Sequence, residues 1–151
     1  MSHRLIQRLD AVGEEFEAAR SALSLTVNRW RLLHDYEELR GQRLASFRLA
    51  GRHLEGTYVV RLFAEFEAII RQQYPHSRPR RRVPVRSYNL INGLGAHYHT
   101  PPAYLTEVHR VREYRHSIAH ADPGAPVIEL GEARSWLNRF LACIPEADVP
   151  P

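Results

Sequence analysis

Two long stretches of helical periodicity constrain this chain more than anything else in it. Between residues 3 and 40, Phe16, Ala19, Leu23, Val27, Trp30 and Leu33 recur at steps of three and four. That spacing stacks their side chains on one face of an α-helix. Between residues 44 and 73 the same rhythm is carried by Phe47, Leu54, Tyr58, Leu62, Phe66 and Ile69, with Phe63 and Ile70 widening the stripe. A helix with one apolar face must bury that face against another element. With only a short polar link between them, the two runs predict a long antiparallel helix pair. Gly13 predicts a kink or a late start in the first run, Gly41 its stop, and Pro75 the end of the second.

The remainder is shorter and more broken. Ser87 is placed to cap a short helix, YNLINGLGAHYH, which its glycines weaken. TPP leads into a fourth helix, from about Ala103 to Ala121, and DPG stops it. APVIEL reads as extended, either one short strand or a connector. Gly131 then opens a last helix with Trp136, Leu137, Phe140 and Leu141 facing inward. The expectation is an all-α fold, a four- to five-helix bundle over residues 1–145, with a disordered tail over 146–151.

Composition excludes several alternatives. At 151 residues the chain suits one domain rather than two. Its 44% hydrophobic and 25% charged residues are those of a globular protein, and no apolar run approaches a membrane span. The N-terminus, MSHRLIQRLDAVGEEFE, is charged throughout and lacks the apolar core of a secretion signal, so a cytoplasmic protein is the default expectation. A lone cysteine, Cys143, leaves no disulfide framework or cysteine-rich zinc site. All 21 basic residues are arginine, giving a net charge of +4. Codon usage accounts for such a bias, and so does phosphate recognition, since the guanidinium fork grips two phosphate oxygens at once.

The fourth helix carries an anomaly. With Tyr104 at zero on a helical wheel, Val108 falls near about 40°, Val111 about 340°, Ile118 about 320° and Ala119 about 60°. Arg115 falls at about 20°, inside that apolar arc. An unpaired buried charge is too costly to be incidental. Either Arg115 pairs with a carboxylate, Glu65 or Glu67 being the candidates, or its face opens onto a groove. His120 sits where the helix runs out. Free carbonyls there favour an imidazolium and a nearby arginine opposes it, a setting suited to a general acid or base.

The stretch RHSIAH, residues 115–120, resembles the signature of the HEPN superfamily: arginine, a polar residue, three more, then histidine near a helix end. The upstream LFAEFEAIIRQQY is similar to the second helix of many such domains, with its aromatic–glutamate pair. In pattern the likeness spans residues 44–141, but in motif it covers RHSIAH alone. Many HEPN domains are metal-independent endoribonucleases of toxin–antitoxin, phage-defence and RNA-processing systems, and they usually dimerise so that both subunits line one cleft. The resemblance therefore implies RNA as substrate, a homodimer, and an antitoxin or defence partner protein. It implies that Arg115 holds the scissile phosphate and stabilises its transition-state charge. His120 would serve as general base or acid in attack by the ribose 2′-hydroxyl. His116 stands where asparagine or aspartate is commoner, and would orient the pair or bind phosphate. No cofactor is implied: a 2′-hydroxyl beside its own phosphate needs only proton transfer and charge stabilisation. Two residues after the histidine, where toxins controlled by nucleotidylation often carry tyrosine, this chain has Asp122, which disfavours that control.

Outside the motif, HSRPRRRVPVR, residues 76–86, is a proline-broken loop dense in charge. Arg78, Arg80, Arg81, Arg82 and Arg86 are candidate RNA-phosphate contacts, set against the plainer reading of a solvated loop. The loop holds no aromatic for base stacking, although Tyr74 and Tyr88 flank it. His97 and His99 form an i, i+2 pair that no nearby Cys or Glu completes, so no metal site is expected. A phosphate loop and a nucleophile elbow are both lacking. Beside the nuclease stand two other readings: a HEPN-like bundle that binds RNA or assembles complexes without cleaving, and an unrelated helical interaction protein with Arg115 and His120 purely structural.

Overall fold

The computed structural model describes residues 3–32, 37–120 and 127–145. Within them lie five α-helices and no strand: α1 (His3–Leu32), α2 (Glu37–Ser77), α3 (Ser87–His97), α4 (Pro102–Ala119) and α5 (Leu130–Ala142). The fold is the all-α bundle that the periodicity predicts. Leu33, the DPG turn with Asp122, and the 146–151 tail lie outside the described residues.

α1 and α2 form the expected antiparallel pair. Arg8 meets Glu65 and Gln72, Arg61 meets Glu15, Phe16 packs on Tyr58, and Leu23 lies beside Gly51. Positions fall along one helix as they rise along the other. The boundaries differ from the sequence expectation. α1 ends at Leu32 and α2 begins at Glu37, so Gly41 lies inside α2 instead of stopping the first helix. An interior glycine costs about 1 kcal/mol against alanine, too little to break a long helix whose face is buried.

Gly13 does not interrupt α1 either. Its missing Cβ makes room for Arg134 of α5, whose Nη1 would lie 2.6 Å from a Cβ built there. Pro75 is likewise inside α2, which runs on to Ser77. Proline removes one donor from the ladder, and so near the end little ladder remains to break. The Ser77 hydroxyl and the Arg78 N–H both donate to the Tyr74 carbonyl at 2.9 Å, closing the last turn.

α2 packs against all four other helices, and one cluster of buried side chains draws on all five. Leu62, Phe63, Phe66, Ile69 and Ile70 of α2 are fully buried within it. Phe66 stands at its centre, 5.7 Å from the Phe63 ring and 5.6 Å from that of Phe140. In α1 the buried apolar side chains are Leu5, Leu9, Val12 and Phe16, whereas Ala19, Leu23 and Val27 are only half-buried. α5 explains the difference, because it covers α1 beside Asp10 and Gly13.

α5 itself contributes the expected Trp136, Leu137, Phe140 and Leu141 to the core. Its first N–H groups have no capping side chain of their own. Glu55 of α2 supplies one from across the bundle, accepting from the Leu130 N–H at 2.9 Å. A carboxylate there also meets the positive end of the helix dipole. Residues 127–129 form a connector, not a strand, leading into this contact. No helix among the described residues is long and apolar enough to cross a membrane.

Candidate functional site

α4 opens with Pro101 at its N-cap and Pro102 in its first turn, and closes at Ala119. Proline is tolerated there because the first turn's N–H groups lack helical partners. The last turn carries the RHSIAH motif, and its residues divide by direction. Ser117 is buried, its hydroxyl turned back onto the Tyr114 carbonyl at 2.7 Å. Ile118 docks against α2 at Gly56, where an added Cβ would meet its Cδ1 at 3.2 Å. Glycine at that position lets the two helices approach. These two contacts fix how the rest of the motif is presented.

His116 and His120 face outward, both exposed. Their rings lie 4.2 Å apart at a 59° tilt, the i, i+4 neighbours of one helix face. His120 is the C-cap, and its N–H donates to the His116 carbonyl at 3.1 Å. Each imidazole in its neutral form offers one donor and one acceptor, so the pair can give a proton and take one within a single small surface.

Arg115 is placed differently. It is half-buried, and its guanidinium carbon sits 5.5 Å from the centroid of the Phe63 ring. Neither candidate carboxylate holds it: Glu65 pairs with Arg8 at 2.5 Å, and Glu67 pairs with Arg71 at 2.6 Å. Among the described residues no ion pair reaches Arg115, and no hydrogen bond or ring contact joins it to either histidine. A cation where leucine would pack is thus accommodated over an aromatic face, an attraction of about 0.5–2 kcal/mol depending on desolvation. The structure brings the two histidines together and sets the arginine on the neighbouring face of the same turn.

The arginine-rich loop is anchored rather than free. Arg71 of α2 donates to the Pro84 and Val85 carbonyls, each at 2.7 Å, while Val83 packs against the core. Arg80, Arg81, Arg82 and Arg86 are left exposed around that anchor. Arg78 departs from the other four: it is half-buried, and its Nε is buried without a hydrogen-bond partner. Of the two flanking tyrosines, Tyr74 belongs to the core and Tyr88 is 52% exposed.

Sequence reasoning missed the surroundings of Tyr88. Its ring lies 4.8 Å from that of His109, and the Arg112 guanidinium carbon lies 5.6 Å from its centroid. The Nε2–H of His109 donates to Asn92 Oδ1 at 3.1 Å, which sets the ring's orientation. Burial and then the Arg112 cation push the His109 pKa below its ordinary value near 6.5, with Glu113 opposing. A signal was present, since 109, 112, 116 and 120 fall at helical spacing on one face of α4.

That shift has a measurable consequence. A histidine held neutral in the fold binds its proton more readily once unfolded. Its contribution to stability is complete above about 6.5 and is lost as pH falls through the lower folded value. Urea unfolding of wild type and His109→Asn across the mildly acidic range checks this. The wild type should lose more stability on acidification than the variant, and parallel curves would contradict it.

His97 and His99 are both exposed and bring no further ligand with them. His97 packs edge-on against Tyr98 at 4.6 Å. His99 has a φ of 52° just past the end of α3, and the next N–H, that of Thr100, reaches back to the Gly95 carbonyl at 2.9 Å. Glycine usually fills such a helix stop. Among the described residues no group of three or more His, Cys, Asp or Glu side chains is placed to hold a metal ion. Comparison with protein-family models, curated proteins and solved structures finds no match to the chain.

Proposed function

We propose that the chain is a HEPN-type endoribonuclease that cleaves RNA without a metal, through attack of a ribose 2′-hydroxyl on its own phosphate. The observation that carries this reading is the exposed His116–His120 pair at the end of α4, with an arginine beside it that no carboxylate among the described residues neutralises. His120 acts as general base or acid, and His116 shares that work or holds phosphate. Arg115 supplies positive charge to the phosphate as it becomes more negative in the transition state. A homodimer would place a second copy of these groups across the cleft and so provide both an acid and a base. A toxin or phage-defence role, with an antitoxin or defence partner, follows from the same resemblance.

The test is incubation of pure protein with a mixed RNA pool in EDTA, followed by analysis of the product ends. Cyclic 2′,3′-phosphate ends are expected from wild type and not from His120→Ala. Cleavage that survives in that variant would point to another site or a contaminant. Light scattering should report a dimer, and a monomer at high micromolar concentration with and without RNA counts against the composite site.

One observation favours a second reading. The Arg115 guanidinium rests on Phe63, and no hydrogen bond or ring contact joins it to either histidine. A HEPN-like bundle that binds RNA or assembles a complex, without cleaving, accommodates that placement. Binding without cleavage by wild type would select it.

In either case the exposed arginines of the 78–86 loop are expected to hold the RNA backbone. Replacing Arg80, Arg81 and Arg82 by glutamine should flatten the plot of log affinity against log salt by roughly 0.7 for each phosphate no longer neutralised. An unchanged slope would make the loop a solvated connector.

A further inference from the structure

Tyr88 is a large aromatic left half open at the end of the arginine loop. Single exposed aromatics are common and need no explanation. This one is not single. A histidine ring, tilted 31° to its own, and an arginine guanidinium, both from α4, lie over the tyrosine ring, and Asn92 of α3 holds the histidine in place. His109 Nδ1 and Arg112 Nε are both buried without a hydrogen-bond partner. The structure thus holds three flat side chains together beside solvent, and Tyr88 remains 52% exposed in their company.

Its position adds meaning. Tyr88 follows Arg86 by two residues, so it begins where the exposed arginines of the loop end. Along α4, His109 and Arg112 lie on the same face as His116 and His120. From His109 to His120 the helix rises about 16 Å, a few nucleotides of single strand. Tyr88 thus links the end of the arginine loop, two residues before it in the chain, to the face of α4 that carries the histidine pair.

We propose that Tyr88, backed by His109 and Arg112, is a base-stacking subsite that fixes the register of single-stranded RNA relative to the His116–His120 pair. This rests on reading the chain as an RNA-binding protein, and it adds a residue that holds a base where the loop can hold only phosphates. The charge balance supports stacking over a phosphate contact at this end. Glu113 shares the α4 face, and its carboxylate lies 3.3 Å from Arg112, offsetting that cation. The depressed pKa of His109 keeps its ring neutral at neutral pH, which suits a stacking plane. Every base has such a face, so the subsite selects single strands and not a sequence.

The experiment measures binding apart from cleavage. The probe is a fluorescein-labelled single-stranded oligouridylate with 2′-O-methyl groups, which removes the attacking hydroxyl. Tyr88→Ala should weaken binding by roughly 5- to 150-fold, the range for loss of one stacked base. Tyr88→Phe should bind as wild type does, because the ring and not the hydroxyl is used. The loss should leave the salt slope unchanged, unlike loss of the loop arginines. A scan of single abasic substitutions should find one position whose effect vanishes in Tyr88→Ala, the non-additivity of two groups in contact.

Wild-type affinity in Tyr88→Ala, or a loss that appears only as a flatter salt slope, would overturn the subsite. So would loss of a dimer in that variant with RNA affinity unchanged, which would make the patch a self-association contact. Binding with the predicted Tyr88 dependence but no cleavage of unmodified RNA would refute the nuclease and leave the subsite standing. No binding by wild type would remove both.

Discussion

Arg115→Ala is expected to abolish RNA cleavage while changing stability by no more than about 1 kcal/mol, the worth of a partly exposed cation–π contact. Two ion pairs elsewhere in the bundle make that combination possible. Had Arg115 been bound to Glu65 or Glu67, its removal would have stranded a carboxylate, and breaking a buried pair costs about 3–5 kcal/mol. Those carboxylates are instead occupied by Arg8 and Arg71. What the variant loses is the guanidinium over Phe63. Loss of one group that stabilises transition-state charge lowers rate by about 10²–10³-fold, enough to erase a weak nuclease signal. Arg115→Lys should recover little, because an ammonium is a point charge without the planar fork. His120→Ala, at an exposed helix end, should lose about 10²–10⁴-fold in rate with its stability intact. Cleavage in EDTA and urea unfolding of the same preparations read both quantities. An Arg115→Ala protein that is folded and still cleaves would remove the arginine from the mechanism. One that unfolds would show a structural duty heavier than the Phe63 contact explains.

Phe66→Ala should be the most damaging single change to the fold, at about 3–5 kcal/mol. Phe66 is fully buried and joins the Phe63 ring of its own helix to Phe140 of α5. Removing the ring leaves a cavity between helices that cannot close without moving α5. Domains of this size have only about 5–15 kcal/mol in total, so the change removes a large share of the stability and should lower the unfolding midpoint markedly. Phe47→Ala is the internal comparison. It belongs to the same predicted stripe but is only half-buried, and should cost clearly less. Equal losses in thermal and urea unfolding would mean that the core is centred elsewhere.

The class of fold and the pairing of its two long helices were legible in the residues alone. Apolar residues at three- and four-residue steps leave a chain no other way to bury them, and that signal is local, strong and repeated over many turns. Arg115 stood out because a cation inside an apolar arc is conspicuous on a helical wheel, His120 because it lies where the helix runs out, and His116 only through the resemblance of RHSIAH to a known motif. The limits of the helices were less legible. Gly13, Gly41 and Pro75 each signal a break, yet each lies inside a helix in the fold. A local penalty of about 1–3 kcal/mol is outweighed when neighbouring turns are buried, and burial is decided by residues distant in the chain. The same holds for charge partners. Glu65 and Glu67 were equally good candidates for Arg115 on sequence grounds, and only the packing of α1 onto α2 gave Glu65 to Arg8. Glu55 reaches the start of α5 from 75 positions away, a contact that no spacing rule encodes. Tyr74 and Tyr88 flank the arginine loop with equal claims, and the packing of the helices separated them by burying one and leaving the other half open against His109 and Arg112. Periodicity fixes which face of a helix is apolar, whereas the neighbour that meets each position depends on how all five helices fit around one core.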